Sequence, residues 1–235
     1  MRRRLLAVPA IVAGLLVTMA PAKAAIDRPV AVWPMNEPAG SRTMMDTSGN
    51  MLHGTIGTDV RAGTLSSDGS IGYRFPFVMP DQPPANPKRL VQVPNNTALN
   101  PGSRDFAVEF RMRTTHSFGN IVQKGQSGSA GGYFKFEQPD GKVTCLFRGS
   151  AGDSAASSGK VRVNDGLWHV VRCERTSSGV TMKVDGVVTG RNRNPSGTIA
   201  NTKPLTIAGK LNCDQVKVGC DYFSGNLDYV KIETS

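Results

Sequence analysis

The sequence predicts an all-β fold, two antiparallel sheets packed face to face in a jelly-roll-like sandwich. Three observations carry this expectation. Apolar and polar residues alternate in short runs, the pattern of strands with one face in a core and one in water. The 26 glycines and 15 prolines are spread between those runs, as frequent turns require. After the N-terminal segment no amphipathic helix of any length can be traced.

Taken in order, the chain opens with Arg2-Arg3-Arg4, an apolar stretch from Leu5 to Met19, and the small-x-small site Ala22-Lys23-Ala24. That is the pattern of a secretory signal peptide over residues 1–24, with Ala20-Pro21-Ala22 as an alternative cleavage site. The apolar stretch is short for a bilayer span, which takes about 20 residues. An uncleaved N-terminal anchor is the alternative. No later segment is apolar enough to cross a membrane, and the expected mature chain, residues 25–235, has the length of one sandwich domain. Removing residues 1–24 deletes four basic residues and no acid, so the formal charge falls from +10 to +6. A basic secreted protein favours anionic polysaccharides or cell-surface polymers. The plainer reading is that the charge keeps a sheet-rich domain soluble. No nucleic-acid partner is expected.

The clearest strand is Phe106, Val108, Phe110 and Met112 alternating with Ala107, Glu109, Arg111 and Arg113. Val143, Cys145 and Phe147 repeat the pattern, as do Val180, Met182 and Val184. Asp185-Gly186 between β-branched runs is a strong hairpin signal, because both turn positions must tolerate positive φ. Three segments read as loops. Met79–Lys88 carries four prolines, and Gly125–Gly132 and Gly149–Gly159 are rich in Gly, Ser and Ala. They are candidates for a binding edge or plain connectors. Four cysteines in a chain bound for an oxidising compartment allow three pairings, of which Cys145–Cys173 and Cys213–Cys220 are expected. A zinc site is the rival, but the spacing lacks a Cys-x-x-Cys pair and only 3 His are present.

The stretch Asp165–Arg175, opening on Trp168-His169 and followed by Met182–Val188, resembles the signature of laminin-G-like domains in the concanavalin A-like lectin and glucanase superfamily. Ala31–Gly40, Asp46–Asn50, His53-Gly-Thr, Phe106–Arg113, Asn120–Gly125 and Phe223–Ile232 resemble successive elements of one subgroup, in the right order. The resemblance implies a concanavalin A-like sandwich and, as in many members, a structural calcium ion near its edge. Glu37, Asp46, Asn50 and Asp228 are the candidate ligands. Asp228 shares the side-chain phase of Val230 and Ile232, the apparent core face, where a bare carboxylate is prohibitively costly. Alternatively, Asp46 and Asn50 shape an Asx turn while Asp228 accepts backbone hydrogen bonds.

Trp33 and Trp168 lie inside strand patterns and are expected in the core, with His169 a structural hydrogen-bonding group. Tyr133, Phe134, Tyr222 and Phe223 flank Gly-rich turns and are the candidate exposed platforms for a sugar. Arg172, Arg175, Lys183, Arg191 and Arg193 form either one cationic patch for sulfate or carboxylate groups or scattered solvated charge.

Catalysis is not expected. Retaining glycosidases need two carboxyls about 5–5.5 Å apart. The superfamily's Glu-x-Asp-x-Glu strand is missing, and Glu109, Glu137 and Glu174 each stand alone. Tyr133–Gln138 is faintly similar to a strand of alginate-type lyases, whose companion Arg and His motifs are missing. Ser-His-Asp, zinc-hydrolase and phosphate-loop motifs are also missing. Three functions stand: a secreted non-catalytic carbohydrate-binding module, a protein-adhesion domain without a sugar site, and a polysaccharide-degrading enzyme with acids on unlinked strands.

Overall fold

The computed structural model describes residues 25–78, 87–211 and 221–235. The signal-peptide segment, most of the Met79–Lys88 loop, and the Cys213–Cys220 pair lie outside the described residues.

In chain order the first strands are β1 (Arg28–Trp33), β2 (Thr43–Met44), β3 (Gly54–Ile56), β4 (Arg61–Leu65), β5 (Ile71–Phe75) and β6 (Val91–Val93). The middle of the chain forms β7 (Phe106–Arg113), β8 (Asn120–Lys124), β9 (Tyr133–Glu137), β10 (Thr144–Gly149) and β11 (Gly152–Ser157). The rest forms β12 (Trp168–Thr176), β13 (Gly179–Val184), β14 (Val187–Asn192), β15 (Leu205–Ile207) and β16 (Gly225–Thr234). They make two antiparallel sheets. Sheet A runs β14-β13-β12-β7-β16-β5-β4, with β1 also on β16, and sheet B runs β11-β10-β9-β8-β15-β6-β3-β2. No described helix is long and apolar enough to cross a membrane.

The alternation read from the sequence places the core. Phe106, Val108, Phe110 and Met112 of sheet A face inward, and Phe134, Phe136, Cys145 and Phe147 of sheet B meet them. Phe106 lies 5.5 Å from Phe134 and Phe110 lies 5.7 Å from Phe136, ring centre to ring centre. Full burial of each such ring stabilises the sandwich by roughly 1.5–3 kcal/mol. The Cys145–Cys173 disulfide forms as expected, and its two strands belong to opposite sheets, so it ties the layers together through the core. Trp33 is fully buried, as expected, and its indole N–H donates to the Leu52 carbonyl at 2.7 Å.

The Asp185-Gly186 turn has positive φ at both positions (51° and 78°) and joins β13 to β14 as a two-residue hairpin. The Asp185 carboxylate accepts from the Val170 N–H at 2.8 Å and meets His169 Nδ1 at 2.8 Å. Asp165 meets His169 Nε2 at 3.1 Å. Burial alone would lower the imidazole's pKa, but the two aspartates outweigh it and raise it. His169 is thus a structural group fastening β12 to the turn. One expected loop is in fact a strand. Gly152–Ser157 pairs with β10 throughout, as the edge of sheet B. Small residues there gave no alternation to read.

Because the disulfide crosses the core, its removal should act on the whole sandwich. Replacing Cys145 and Cys173 by Ala should cost about 2–4 kcal/mol, measured by urea denaturation. A loss no larger than that of a surface control would show that the bridge constrains little.

Candidate functional site

A groove of about 470 Å³ opens on the outer face of sheet B. Its floor is Gln123 of β8 and Thr206 of β15, which pair directly across the sheet. One wall is the Gly125–Gly132 loop, presenting Gln126, Ser127 and Ser129, and Thr202, Lys203, Pro204 and Leu211 complete the lining. Groups that give and accept hydrogen bonds therefore surround a small apolar element, an arrangement able to orient a polar ligand.

The walls are fixed from beneath. Lys124 is fully buried, and its ammonium donates to Asn95 Oδ1 at 2.9 Å and to the Asn201 carbonyl at 2.9 Å. Burial pushes its pKa down to about 8, so near neutrality it still carries a charge that these oxygens satisfy. Asn201 in turn donates to the Gly132 carbonyl at 2.8 Å and accepts from the Lys203 N–H at 2.9 Å. Gly131 passes so close to Ala200 that an added Cβ would stand 1.7 Å from the Ala200 carbonyl oxygen. Only glycine lets the loop reach this position.

The aromatic residues expected to be exposed platforms are buried. Phe134 belongs to the core cluster and Phe223 packs edge-on against Phe75 at 6.1 Å. Tyr133 points outward but lies under Gly125, and Tyr222 packs with Leu90 in a small satellite cluster. A glycine neighbour marks a tight backbone path, which here brings more atoms onto each ring. Trp168 departs the other way. It stands on the outer face of sheet A, in phase with Arg172 and Glu174, with the Arg111 and Arg113 guanidinium groups 4.4 and 4.9 Å from its ring centre.

The expected cationic patch does not form as one unit. Arg172 pairs with Glu174 at 2.8 Å, Glu109 at 3.2 Å and Glu233, and Lys183 pairs with Glu174 at 2.9 Å. Arg175 points into the rim, where it donates to Ser196 Oγ at 3.0 Å and to the carbonyls of Arg104 and Gly197. Arg191 and Arg193 remain exposed. Charge around Arg172 and Lys183 is matched locally.

The four oxygen-bearing residues expected around calcium do not converge. Between Leu227 and Tyr229 strand β16 carries a bulge against β7, so Leu227, Val230 and Ile232 face inward while Asp228 turns outward to Arg111. The inserted residue breaks the period of two that would place Asp228 inward with Val230 and Ile232. Glu37 accepts from the Met45 N–H at 2.7 Å and from the Tyr73 hydroxyl. Both Asp46 oxygens are occupied, by the N–H groups of Val32, Ser48 and Leu52 and by the Ser48 hydroxyl, all within 2.9 Å. Asn50 donates to the Val30 carbonyl at 2.9 Å. Among the described residues no three His, Cys, Asp or Glu side chains stand together as metal ligands would. This donor set does not fit a calcium ion, and Asp46 is instead the hub of an Asx turn joining β1 to the Leu52 segment.

Burial alone would push the Asp46 carboxyl up, but bonds from Val32, Ser48 and Leu52 outweigh it and hold it below its ordinary 3.8. A depressed native pKa adds stability that is complete above the unfolded value and is lost as pH falls through the folded one. Asp46→Ala leaves backbone donors without acceptors, at roughly 1–3 kcal/mol for each buried orphan. Its deficit against wild type in urea melts should be largest at neutral pH and shrink on acidification below 3.8. A deficit independent of pH would mean that the carboxylate's charge contributes nothing.

The sandwich has known counterparts. Domain 4 of AbnA, a GH43 extracellular arabinanase from Geobacillus stearothermophilus solved in complex with arabinotriose, is similar at TM-score 0.63 and 13% identity. The match covers 90% of this chain and 94% of that one. The binding domain of Paraclostridial Mosquitocidal Protein 1 is similar at TM-score 0.59 and 13% identity over 87% of this chain. That of botulinum neurotoxin serotype G is similar at TM-score 0.59 and 11% identity over 88%. The chain spans about half the length, 47%, of each toxin domain. At these identities the likeness is one of fold. In sequence, the laminin G domain profile matches residues 112–234, more than half of the chain. The chain belongs to the laminin G domain family.

Proposed function

We propose that the protein is a secreted, non-catalytic module that binds a neutral oligosaccharide or polysaccharide in the sheet B groove. The observation that carries this reading is the lining itself. Gln123, Gln126, Ser127, Ser129 and Thr202 offer amide and hydroxyl groups around Pro204 and Leu211, and among the described lining residues Lys203 is the one charged side chain and none is a carboxylate. Sugar hydroxyls need such paired donors and acceptors, and a sugar's C–H face needs a small apolar surface. The Gln123 side-chain oxygen already accepts from Asn120 at 2.8 Å, which leaves its NH₂ to point a donor at a ligand. A similar sandwich, domain 4 of the arabinanase, was solved in complex with arabinotriose, which makes an arabino-oligosaccharide the first ligand to test.

The acids support binding rather than hydrolysis. Glu109 is held by Arg172 and Tyr229, Glu137 by Lys135 at 2.6 Å, and Glu174 by Arg172 and Lys183. Bonding to Arg172 and Lys183 outweighs burial and lowers the Glu174 pKa, the reverse of what a general acid requires. The signal-peptide pattern and the inter-sheet disulfide support an extracellular location.

The experiment is a glycan array followed by calorimetry on the strongest neutral ligand. Gln123→Ala and Gln126→Ala should each weaken binding about tenfold, as the loss of a ligand hydrogen bond does, while sugar release stays at background. A blank array would overturn the reading in favour of a protein-adhesion domain. Reducing sugar released from the bound polymer would overturn it in favour of an enzyme.

A further inference from the structure

Five neighbouring strands of sheet A each place one residue in a row across the outer face. Arg61 of β4 pairs with Arg74 of β5, Arg74 with Asn226 of β16, Asn226 with Arg113 of β7, and Arg113 with Trp168 of β12. Adjacent strands lie about 4.8 Å apart, so Arg61 and Arg74 are immediate neighbours and Arg113 stands about 10 Å farther along. Arg61 and Arg74 are exposed, and among the described residues no carboxylate pairs with either. Among the described residues Arg113 reaches Ser66 Oγ, at 3.4 Å, and the Trp168 ring.

Like charges directly opposite each other on a sheet repel. The bases beside this row are matched: Arg111 lies 2.7 Å from Asp68 and also meets Asp228, while Lys231 lies 3.0 Å from Glu233. The arginine row is therefore a local excess of positive charge beside bases that are matched. A bound anion would relieve it.

A cleft of about 320 Å³ opens at the same place, lined by Arg74, Asn226, Arg113, Thr115, His116 and Phe77 among others, with no acid among the described lining residues. Phe77 is 55% exposed, and its ring stacks on His116 with centres 4.5 Å apart and planes 12° from parallel. His116 thus backs one face of an aromatic ring whose remaining surface is open.

We propose that this cleft binds an acidic sugar unit of a carboxylated polysaccharide, its carboxylate between Arg74 and Arg113 and its ring against Phe77. The planar fork of a guanidinium matches a carboxylate with two parallel hydrogen bonds. Asn226, between the two arginines, and Thr115 supply partners for the sugar hydroxyls. Arg61, one strand beyond Arg74, extends the positive field toward the next charged unit, so the ligand is a chain rather than a single sugar. The cleft lies on the opposite sheet from the neutral groove and stands independently of it.

The test is calorimetric titration of the protein with polygalacturonate, and with the fully methyl-esterified polymer, at about 0.15 M salt, where surface fields are screened within about 8 Å. Arg74→Gln and Arg113→Gln should each weaken polygalacturonate binding about tenfold or more, the loss of a charged hydrogen-bonded pair. Arg191→Gln removes the same charge from exposed β14 and should change it less than about twofold. The esterified polymer should not bind at the cleft. Arg113 also packs on Trp168, so thermal melts accompany each variant, and Arg74→Gln alone suffices if Arg113→Gln unfolds. Four results would each overturn the assignment: no binding by wild type, equal losses from Arg74→Gln and Arg191→Gln, undiminished binding of the ester, or dextran sulfate binding as tightly through Arg74.

Discussion

Strand β16 pairs with β7 along one side, and its other side is shared by two strands. β1 takes Val230–Thr234 and β5 takes Gly225–Leu227. The bulge at Asp228, in the ladder to β7, falls at the point along β16 where one neighbour gives way to the other. The extra residue also resets the phase, so that Leu227 before it and Val230 and Ile232 after it all reach the core. Without it, one half of the strand would present its polar residues inward, which no core of this kind tolerates.

The bulge also divides the outer face of sheet A. On its N-terminal side the register aligns Asn226 with Arg74 and Arg113, and three arginines lie in one row. On its C-terminal side Lys231 and Glu233 interleave with Glu109, Arg172 and Glu174 in a network where each cation meets a carboxylate. At its edge Asp228 takes Arg111 out of the row, and the Asp68 pair completes that neutralisation. A balanced network contributes little to ligand binding, since its charges already satisfy one another. The unbalanced row keeps its attraction for an outside anion. The composition alone, a modest positive charge, could not distinguish these two halves.

The sequence conveys local features faithfully. The period of two over Phe106–Met112, the positive-φ turn at Asp185-Gly186 and the partnership of Cys145 with Cys173 all appear as expected, because each depends on a few consecutive residues or on a single pairing. Trp168 is legible too, since His169, Val171 and Cys173 alternate with it and define the inward face, although its residue type alone points to the core. Asp228 was not legible, because a bulge leaves no mark on a sequence read at constant period. The groove was half legible. Gly125–Gly132 stood out by composition, whereas Gln123 and Thr206 become its floor only when β8 and β15 pair across an interval of some eighty residues.

That last distinction explains why neither sheet face could be read directly as a binding site. A site on a sheet is a transverse object, assembled from one residue per strand, and its members need not be near one another in the chain. Arg61, Arg74, Arg113, Trp168 and Asn226 come from five segments, and each alone is an ordinary outward-facing residue of an alternating strand. What joins them is register, which follows from the inward hydrophobic pattern and from the bulge rather than from any property of the residues themselves. The core thus determines which surface charges become neighbours. A shift of β5 against β16 by two residues would keep every apolar side chain inward and still dissolve the arginine row. The chemistry of the outer face therefore depends on packing that no surface residue takes part in.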